Sequence, residues 1–265
     1  FIVPLDALAP DMLTLVEHSP HALIDARRIV EAGSARLPLA QVRLLAPIPR
    51  PRKNIFAIGR NYAEHAQESA AARGEQVTPP IFFTKAPTSV SGPFDSILID
   101  ADVSVEVDWE VELAVIVGRR ARKITRQEAL AYVFGYSVLN DVSARDVQHQ
   151  TSQFFIGKSI DGYCPMGPWI VTADEIADPQ NLALRCRVNG QVKQEGNTRS
   201  MLYSIATILE ELSRTLTLEP GDIIATGTPA GVGFARKPPE YLKPGDVLES
   251  EVEGIGMLRN PVTGV

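Results

Sequence analysis

The sequence presents its densest chemistry in Trp109-Glu110-Val111-Glu112-Leu113-Ala114-Val115-Ile116-Val117. Read as a strand, successive side chains alternate between two faces. Glu110 and Glu112 then share a face with Ala114 and Ile116, while Val111, Leu113, Val115 and Val117 take the other. Glutamate is disfavoured in strands, and two on one face repel. A solvent-facing edge would continue with polar residues, yet this face runs from two carboxylates into apolar side chains. Paired carboxylates entering a core suit a hard cation such as Mg²⁺, Mn²⁺ or Ca²⁺, which prefers oxygen ligands. The spacing leaves both readings open, a solvated edge and a metal site. Asp141 closes the apolar run Gly135-Tyr-Ser-Val-Leu139-Asn140-Asp141. Alone it reads as a turn cap, and beside the glutamate pair it completes a three-carboxylate site. The acids Asp100, Asp102, Glu106 and Asp108 form a dense charged run and are expected to be solvated.

General acid–base chemistry near neutral pH points to histidine, and there are four: His18, His21, His65 and His149. The first two read as surface residues. If residues 59–68 hold a helical turn, His65 and Glu68 touch at i, i+3. A carboxylate beside an imidazole orients it and raises its basicity, which suits activation of water; a surface His–Glu pair has the same spacing. His149 follows Asp146 in the same way. Lys158 lies in Phe154-Phe155-Ile156-Gly157-Lys158-Ser159. A phosphate-binding P-loop needs glycine where Ser152 stands, so that reading fails. A lysine among apolar residues could neutralise a substrate carboxylate or an enolate oxygen. Lys85 and Arg145 could act likewise, or lie at the surface. The stretch Thr226-Gly-Thr228-Pro-Ala-Gly231-Val-Gly233 follows a strand without the GxGxxG spacing. It reads either as a loop whose N–H groups and Thr228 hydroxyl approach a ligand, or as a tight structural turn.

The elements that must position these groups are mostly strands. Apolar and β-branched runs occupy residues 55–59, 81–84, 109–117, 135–139, 169–172, 184–188, 223–226 and 247–252. Helices are few: residues 22–30, 125–133 opening on Thr125 and Glu128 in a capping-box pattern, and 201–216, with Leu202, Ile205, Ile208, Leu209 and Leu212 on one stripe. Leu218-Glu-Pro-Gly-Asp222 is echoed by Leu242-Lys-Pro-Gly-Asp246, and each Pro-Gly fits a type II turn opening a strand. Three prolines in residues 47–52 forbid regular structure and mark a boundary or stiff connector after a small leading segment. The expectation is an α+β, mostly β fold with peripheral helices.

Composition restricts the function. Thirty-two acids against 26 bases give a net charge of −6, which argues against nucleic acid as a partner. No run approaches the roughly 18 apolar residues of a membrane span. No basic, then apolar, leader opens the chain. The two cysteines, Cys164 and Cys186, show no CxxC spacing. A reducing, cytoplasmic setting is the expectation.

Several separated motifs stand in order: Gly59-Arg-Asn-Tyr-x-x-His65-x-x-Glu68, Glu110-x-Glu112, Gly135-Tyr-x-x-x-Asn140-Asp141-x-Ser-Ala-Arg145-Asp146, Gly157-Lys158-x-x-Asp161-x-x-x-Pro165-x-Gly-Pro and Thr226-Gly-Thr228-Pro-x-Gly231-Val-Gly233. In these the chain resembles the fumarylacetoacetate hydrolase family over roughly residues 53–262. Residues 1–50 look like the variable leading segment of longer bacterial members, ahead of a catalytic domain at 51–265. The resemblance implies a mixed β-roll core and a homodimer. It implies Mg²⁺ or Mn²⁺, with Ca²⁺ as a further option, held by Glu110, Glu112 and Asp141. It implies His65 and Glu68 on a lid helix, with Lys158 at the developing negative charge. Arg145, Gln148, Thr228 and, more distantly, Lys85 match substrate-binding positions.

Such a site stabilises the enolate of a small 2-oxo acid. The leading expectation is hydrolysis of a C–C bond in an acylpyruvate or β-diketo acid by water activated at His65–Glu68. The alternative is decarboxylation of an oxaloacetate-like acid or isomerisation of a 2-hydroxy-dienoate through the same enolate. A non-catalytic binding protein is the third class, against which the unbroken motif set argues.

Overall fold

The computed structural model describes residues 1–33 and 36–265. Its strands are β1 (Ile55–Gly59), β2 (Ile81–Lys85), β3 (Val90–Ser91), β4 (Ile97–Ile99), β5 (Val107–Asp108), β6 (Val111–Val117), β7 (Val133–Asn140), β8 (Ser143–Ala144), β9 (Cys164–Thr172), β10 (Ala183–Val188), β11 (Gln191–Asn197), β12 (Ile223–Ala225), β13 (Val247–Val252) and β14 (Gly256–Gly264). The helices are α1 (Met12–Glu17), α2 (His21–Glu31), α3 (Ala63–Arg73), α4 (Arg145–Gln148), α5 (Phe155–Lys158) and α6 (Ile205–Thr215). A seven-stranded sheet runs β2-β1-β12-β6-β7-β9-β3, a five-stranded sheet runs β11-β10-β13-β14-β4, and β5 pairs with β8. Pairing is antiparallel except β1–β12, β3–β9 and β4–β14. The fold is α+β and mostly β, a mixed β-roll core with a few helices outside it.

The alternation of β6 separates two cores. Val111, Leu113, Val115 and Val117 enter one apolar cluster with Ile205, Ile208, Leu209 and Leu212 of α6. Ala114 and Ile116 enter the other, with Ile55, Ala57, Ile223 and Ala225, and with Leu15, Val16 and Ala22 of the leading segment. Every residue of β6 is buried, because the strand lies at the centre of its sheet. The solvated-edge reading of this segment is therefore excluded.

Local chemistry explains the element boundaries. In α6, Ser204 Oγ accepts from the Thr207 N–H at 3.2 Å, so the helix starts there. Leu202, expected on its apolar stripe, precedes the cap and is exposed. The helix expected at 125–133 shrinks to a single 3₁₀ turn, Ala129–Tyr132. Glu128 does reach back to the Thr125 N–H, at 3.3 Å, but Val133 and its successors pair in β7 instead of continuing a helix. Two long strands, β11 and β14, escaped the sequence reading, as did the short β3, β4, β5 and β8. Polar β11 is an edge strand, and β14 carries a proline and two glycines. Both Pro-Gly echoes are type II turns: Asp222 N–H donates to Glu219 O and Asp246 N–H to Lys243 O, each at 3.0 Å. Gly221 and Gly245 supply φ of +85° and +98°, which a side chain would oppose.

Among the described residues no helix is long and apolar enough to cross a membrane. Cys164 and Cys186 are free and fully buried. Burial pushes the Cys164 thiol up to about 12 and raises Cys186 as well. Neither thiol is expected to react with a disulfide reagent at neutral pH until the chain unfolds; fast labelling of the native protein would contradict this packing.

Candidate functional site

The antiparallel register of β6 and β7 pairs Val111 with Asn140, so the residues just beyond them, Glu110 and Asp141, meet. The Asp141 N–H donates to Glu110 O at 2.9 Å, and the Glu110 N–H donates to Asn140 Oδ1 at 3.0 Å. Glu112 follows two residues along the same face. Oxygens of Glu110, Glu112 and Asp141 lie within 4.8 Å of one another, all three residues being buried. Their ion pairs come from three cations. Lys158 Nζ lies 2.7 Å from both Glu110 Oε2 and Asp141 Oδ2. Lys85 Nζ lies 2.7 Å from Asp141 Oδ1. Arg145 Nη2 lies 2.7 Å from Glu110 Oε1. Lys85 and Arg145 are thus buried, not surface residues.

Asp108 is a correction to the sequence reading, which placed it in a solvated acidic run. It is fully buried. Its carboxylate accepts from Arg145 Nε at 2.9 Å, from the Trp109 N–H at 2.8 Å, from the Gly233 N–H at 2.7 Å and from the Phe234 N–H at 3.1 Å. The signal was available: Asp108, Glu110 and Glu112 fall at i, i+2 and i+4. Asp108 orients Arg145, which in turn holds Glu110 and, at 3.0 Å, Gln148 Oε1. Asn140 was another omission. Its Nδ2 donates to Ser250 Oγ of β13 at 2.8 Å, tying the two sheets together behind the site.

Four buried carboxylates (Asp108, Glu110, Glu112, Asp141) therefore face three buried cations. Burial raises Glu110, but Lys158, Arg145 and His65 outweigh it and hold this carboxyl far below the usual range. Glu112 behaves oppositely. Burial and then the Asp141 and Glu110 charges push it well up, and it accepts the Gly227 N–H at 2.7 Å, with no ion-pair partner among the described residues. An under-compensated, all-oxygen donor set of this kind fits a divalent cation.

Helix α3 brings in the second group. His65 Nδ1 lies 3.0 Å from Glu68 Oε1. A carboxylate only accepts, so Nδ1 carries the proton and Nε2 is left as the basic nitrogen. Glu68 is itself fixed: the Gly231 N–H lies 2.9 Å from both of its oxygens. Gly231 has φ +105°, and a Cβ there would sit 2.2 Å from Lys193 O, so only glycine lets this amide reach Glu68. The loop of residues 226–233 therefore spends its amides on Glu112, Glu68 and Asp108. Thr228 Oγ1 lies behind the cavity, donating to Val111 O at 2.8 Å and accepting from Gln194 Nε2 at 2.7 Å. His149 meets Phe234 edge-on, and its expected partner Asp146 accepts from Ser104 Oγ instead.

His65, Glu110, Arg145, Gln148 and Lys158 line one cavity. Arg60, Arg73 and His149, with Phe83, Phe154 and Phe234, also line it, beside Gly59 and Ser69. Only about 30 Å³ is open to the centre of a water molecule, room for about two waters. Entry of even a small acid requires the wall to move, and α3 is part of that wall.

With the geometry in view, comparison with known proteins adds four findings. The family model described as fumarylacetoacetate (FAA) hydrolase C-terminal matches residues 54–263. The chain is 44% identical over 257 residues to oxaloacetate tautomerase Fahd2a, mitochondrial, of Rattus norvegicus, covering 97% of this chain and 80% of the relative. It is 44% identical over 232 residues to oxaloacetate tautomerase YisK of Bacillus subtilis, covering 88% and 77%. The solved fumarylacetoacetate hydrolase from psychrophilic Exiguobacterium antarcticum superposes with a TM-score of 0.79 at 44% identity, over 96% of this chain and 88% of that one.

Proposed function

The chain belongs to the fumarylacetoacetate hydrolase family, and from that premise we propose that it is a divalent-metal-dependent enzyme interconverting the enol and keto forms of a small 2-oxo dicarboxylate such as oxaloacetate. The observation that carries the reading is the buried Lys158 ammonium, 2.7 Å from both Glu110 and Asp141, in the cavity that also contains His65. Tautomerisation moves one proton between the 2-oxygen and C3 through an enolate. Lys158 supplies fixed positive charge where that enolate oxygen develops. His65, its ring set by Glu68, moves the proton through Nε2. Gln148 gives its Oε1 to Arg145, which leaves its NH₂ to donate to a substrate oxygen. Lys85 and Arg145 position Asp141 and Glu110; Thr228 acts from behind, through Val111. Bound by Glu110, Glu112 and Asp141, a divalent ion such as Mg²⁺ or Mn²⁺ supplies the Lewis acidity that lowers the enolate's energy. The catalytic unit in this reading is residues 51–265, working as a homodimer.

Two relatives named as oxaloacetate tautomerases support tautomerisation over C–C hydrolysis. The His65–Glu68 contact and the solved relative named as a hydrolase keep one second reading, water-activated cleavage of an acylpyruvate. Both are tested by adding Mn²⁺-loaded protein to freshly dissolved enol-oxaloacetate and, separately, to acetylpyruvate. Decay of the enol absorbance well above the rate with free Mn²⁺, abolished by chelator, is the expected result. No acceleration there together with cleavage of acetylpyruvate would replace tautomerisation by hydrolysis.

A further inference from the structure

We infer that Arg73, with Arg60 beside it, binds the distal carboxylate of the substrate and so selects 2-oxo dicarboxylates over monocarboxylates. This rests on the enolate reading of the same cavity and adds the residues that choose its substrate. Both guanidiniums line the wall shared with Glu110 and Lys158. Arg73 is mostly buried, with 19% of its side chain exposed. Its Nε donates to Ser69 O at 3.3 Å within its own helix and lies 3.6 Å from Glu75 Oε2. Its two Nη groups meet no acceptor among the described residues. Among the described residues Arg60 donates only to the Thr78 hydroxyl, and it holds φ +62°, a conformation a non-glycine residue adopts at a cost.

The charges around them leave an anion wanting. Burial pushes the Arg73 pKa down; Glu75 opposes this, and Arg60 and Arg145 add to it. Glu110 and Asp141 pair with Lys85, Arg145 and Lys158, and among the described residues no inner carboxylate forms an ion pair with Arg60 or Arg73; the acid nearest Arg73 is Glu75. Arg73 and Arg145 both lie against the Phe234 ring, 5.7 and 4.5 Å from its centroid. One aromatic wall thus joins the outer guanidinium to the inner one. A guanidinium fork with both Nη groups unengaged matches a carboxylate bidentately. Arg73 also closes the last turn of α3, eight residues after His65. A carboxylate captured by Arg73 therefore draws in the helix that carries the base, coupling recognition to closure.

Malate and lactate differ by one distal carboxylate and neither tautomerises, so their binding to Mn²⁺-loaded protein by calorimetry isolates this contact. Wild-type protein is expected to bind malate at least tenfold more tightly than lactate. Arg73→Gln should lose about tenfold or more in malate affinity while lactate affinity stays within twofold, which also shows that the fold and inner site are intact. Arg73→Lys, which keeps the charge but not the fork, should fall between. Equal losses for both ligands, or unchanged malate binding, would overturn the assignment. If wild-type protein binds lactate and malate equally, only this inference fails; if it binds neither, the enolate reading fails with it.

Discussion

Glu110→Gln combined with Glu112→Gln is expected to abolish stoichiometric Mn²⁺ binding, and the tautomerase activity with it. A neutral amide is a poor ligand for a hard cation, and the double variant removes two of the three clustered carboxylates. It also removes Glu110 from Lys158 and Arg145, which keep Asp141 and Asp108 as partners, and breaking a buried pair costs up to about 3–5 kcal/mol. Glu112→Gln alone avoids that cost, because among the described residues Glu112 pairs with no cation and accepts only the Gly227 N–H. It should fold normally and still lose most of its metal affinity. One Mn²⁺ per chain retained by either folded variant at wild-type affinity would remove the glutamates from the metal site. The sign of the pH dependence follows from Glu112. Burial and its acidic neighbours raise it, so the metal-free protein keeps a proton there at pH values where an ordinary glutamate has ionised. Its contribution to stability is complete below the ordinary glutamate value and is lost as pH rises through the raised one. Mn²⁺ displaces that proton, so affinity should rise with pH across the same window and binding should release acid. A pH-independent affinity would contradict this.

His65→Ala is the second large effect. Removing a positioned general base costs about 10²–10⁴ in rate, and kcat for enol-oxaloacetate should fall in that range. Metal content should not change, since His65 makes no hydrogen bond to Glu110, Glu112 or Asp141 and pairs instead with Glu68. Glu68→Gln should cost less, because the Gly231 amide still has an oxygen to meet while the imidazole loses its charged orienter. An unchanged kcat in His65→Ala would assign proton transfer to another group, and Lys158 would be the next to test.

The sequence carried much of this on its own, for a physical reason. Strand periodicity is local, so alternation across residues 109–117 placed Glu110 and Glu112 on one face and separated the two cores of β6 before any tertiary contact was known. Helical periodicity is local too, and it put His65 and Glu68 in contact. The two Pro-Gly turns followed from the backbone preferences of two residues each. Asp141 could be joined to the glutamates only as an option, since its place depends on the β6–β7 register. Asp108 was misplaced because charge density along the chain says nothing about which loop later folds over it. The amides of Gly233 and Phe234, more than a hundred residues away, convert a surface-like acid into a buried one.

Tertiary structure alone decided the rest. It closed the loop of residues 226–233 onto Glu68, Glu112 and Asp108, so amides that the sequence offered as ligand donors became supports for the site's own carboxylates. It turned Thr228 inward, and it sank Lys85, Arg145 and Lys158 among four acids. It also left Arg60 and Arg73 facing the same cavity with donors to spare. These are balances of charge among groups distant in sequence, and burial sets their strength. Residue order fixes which charges exist; only the folded chain determines which remain uncompensated, and those are the ones a substrate can meet.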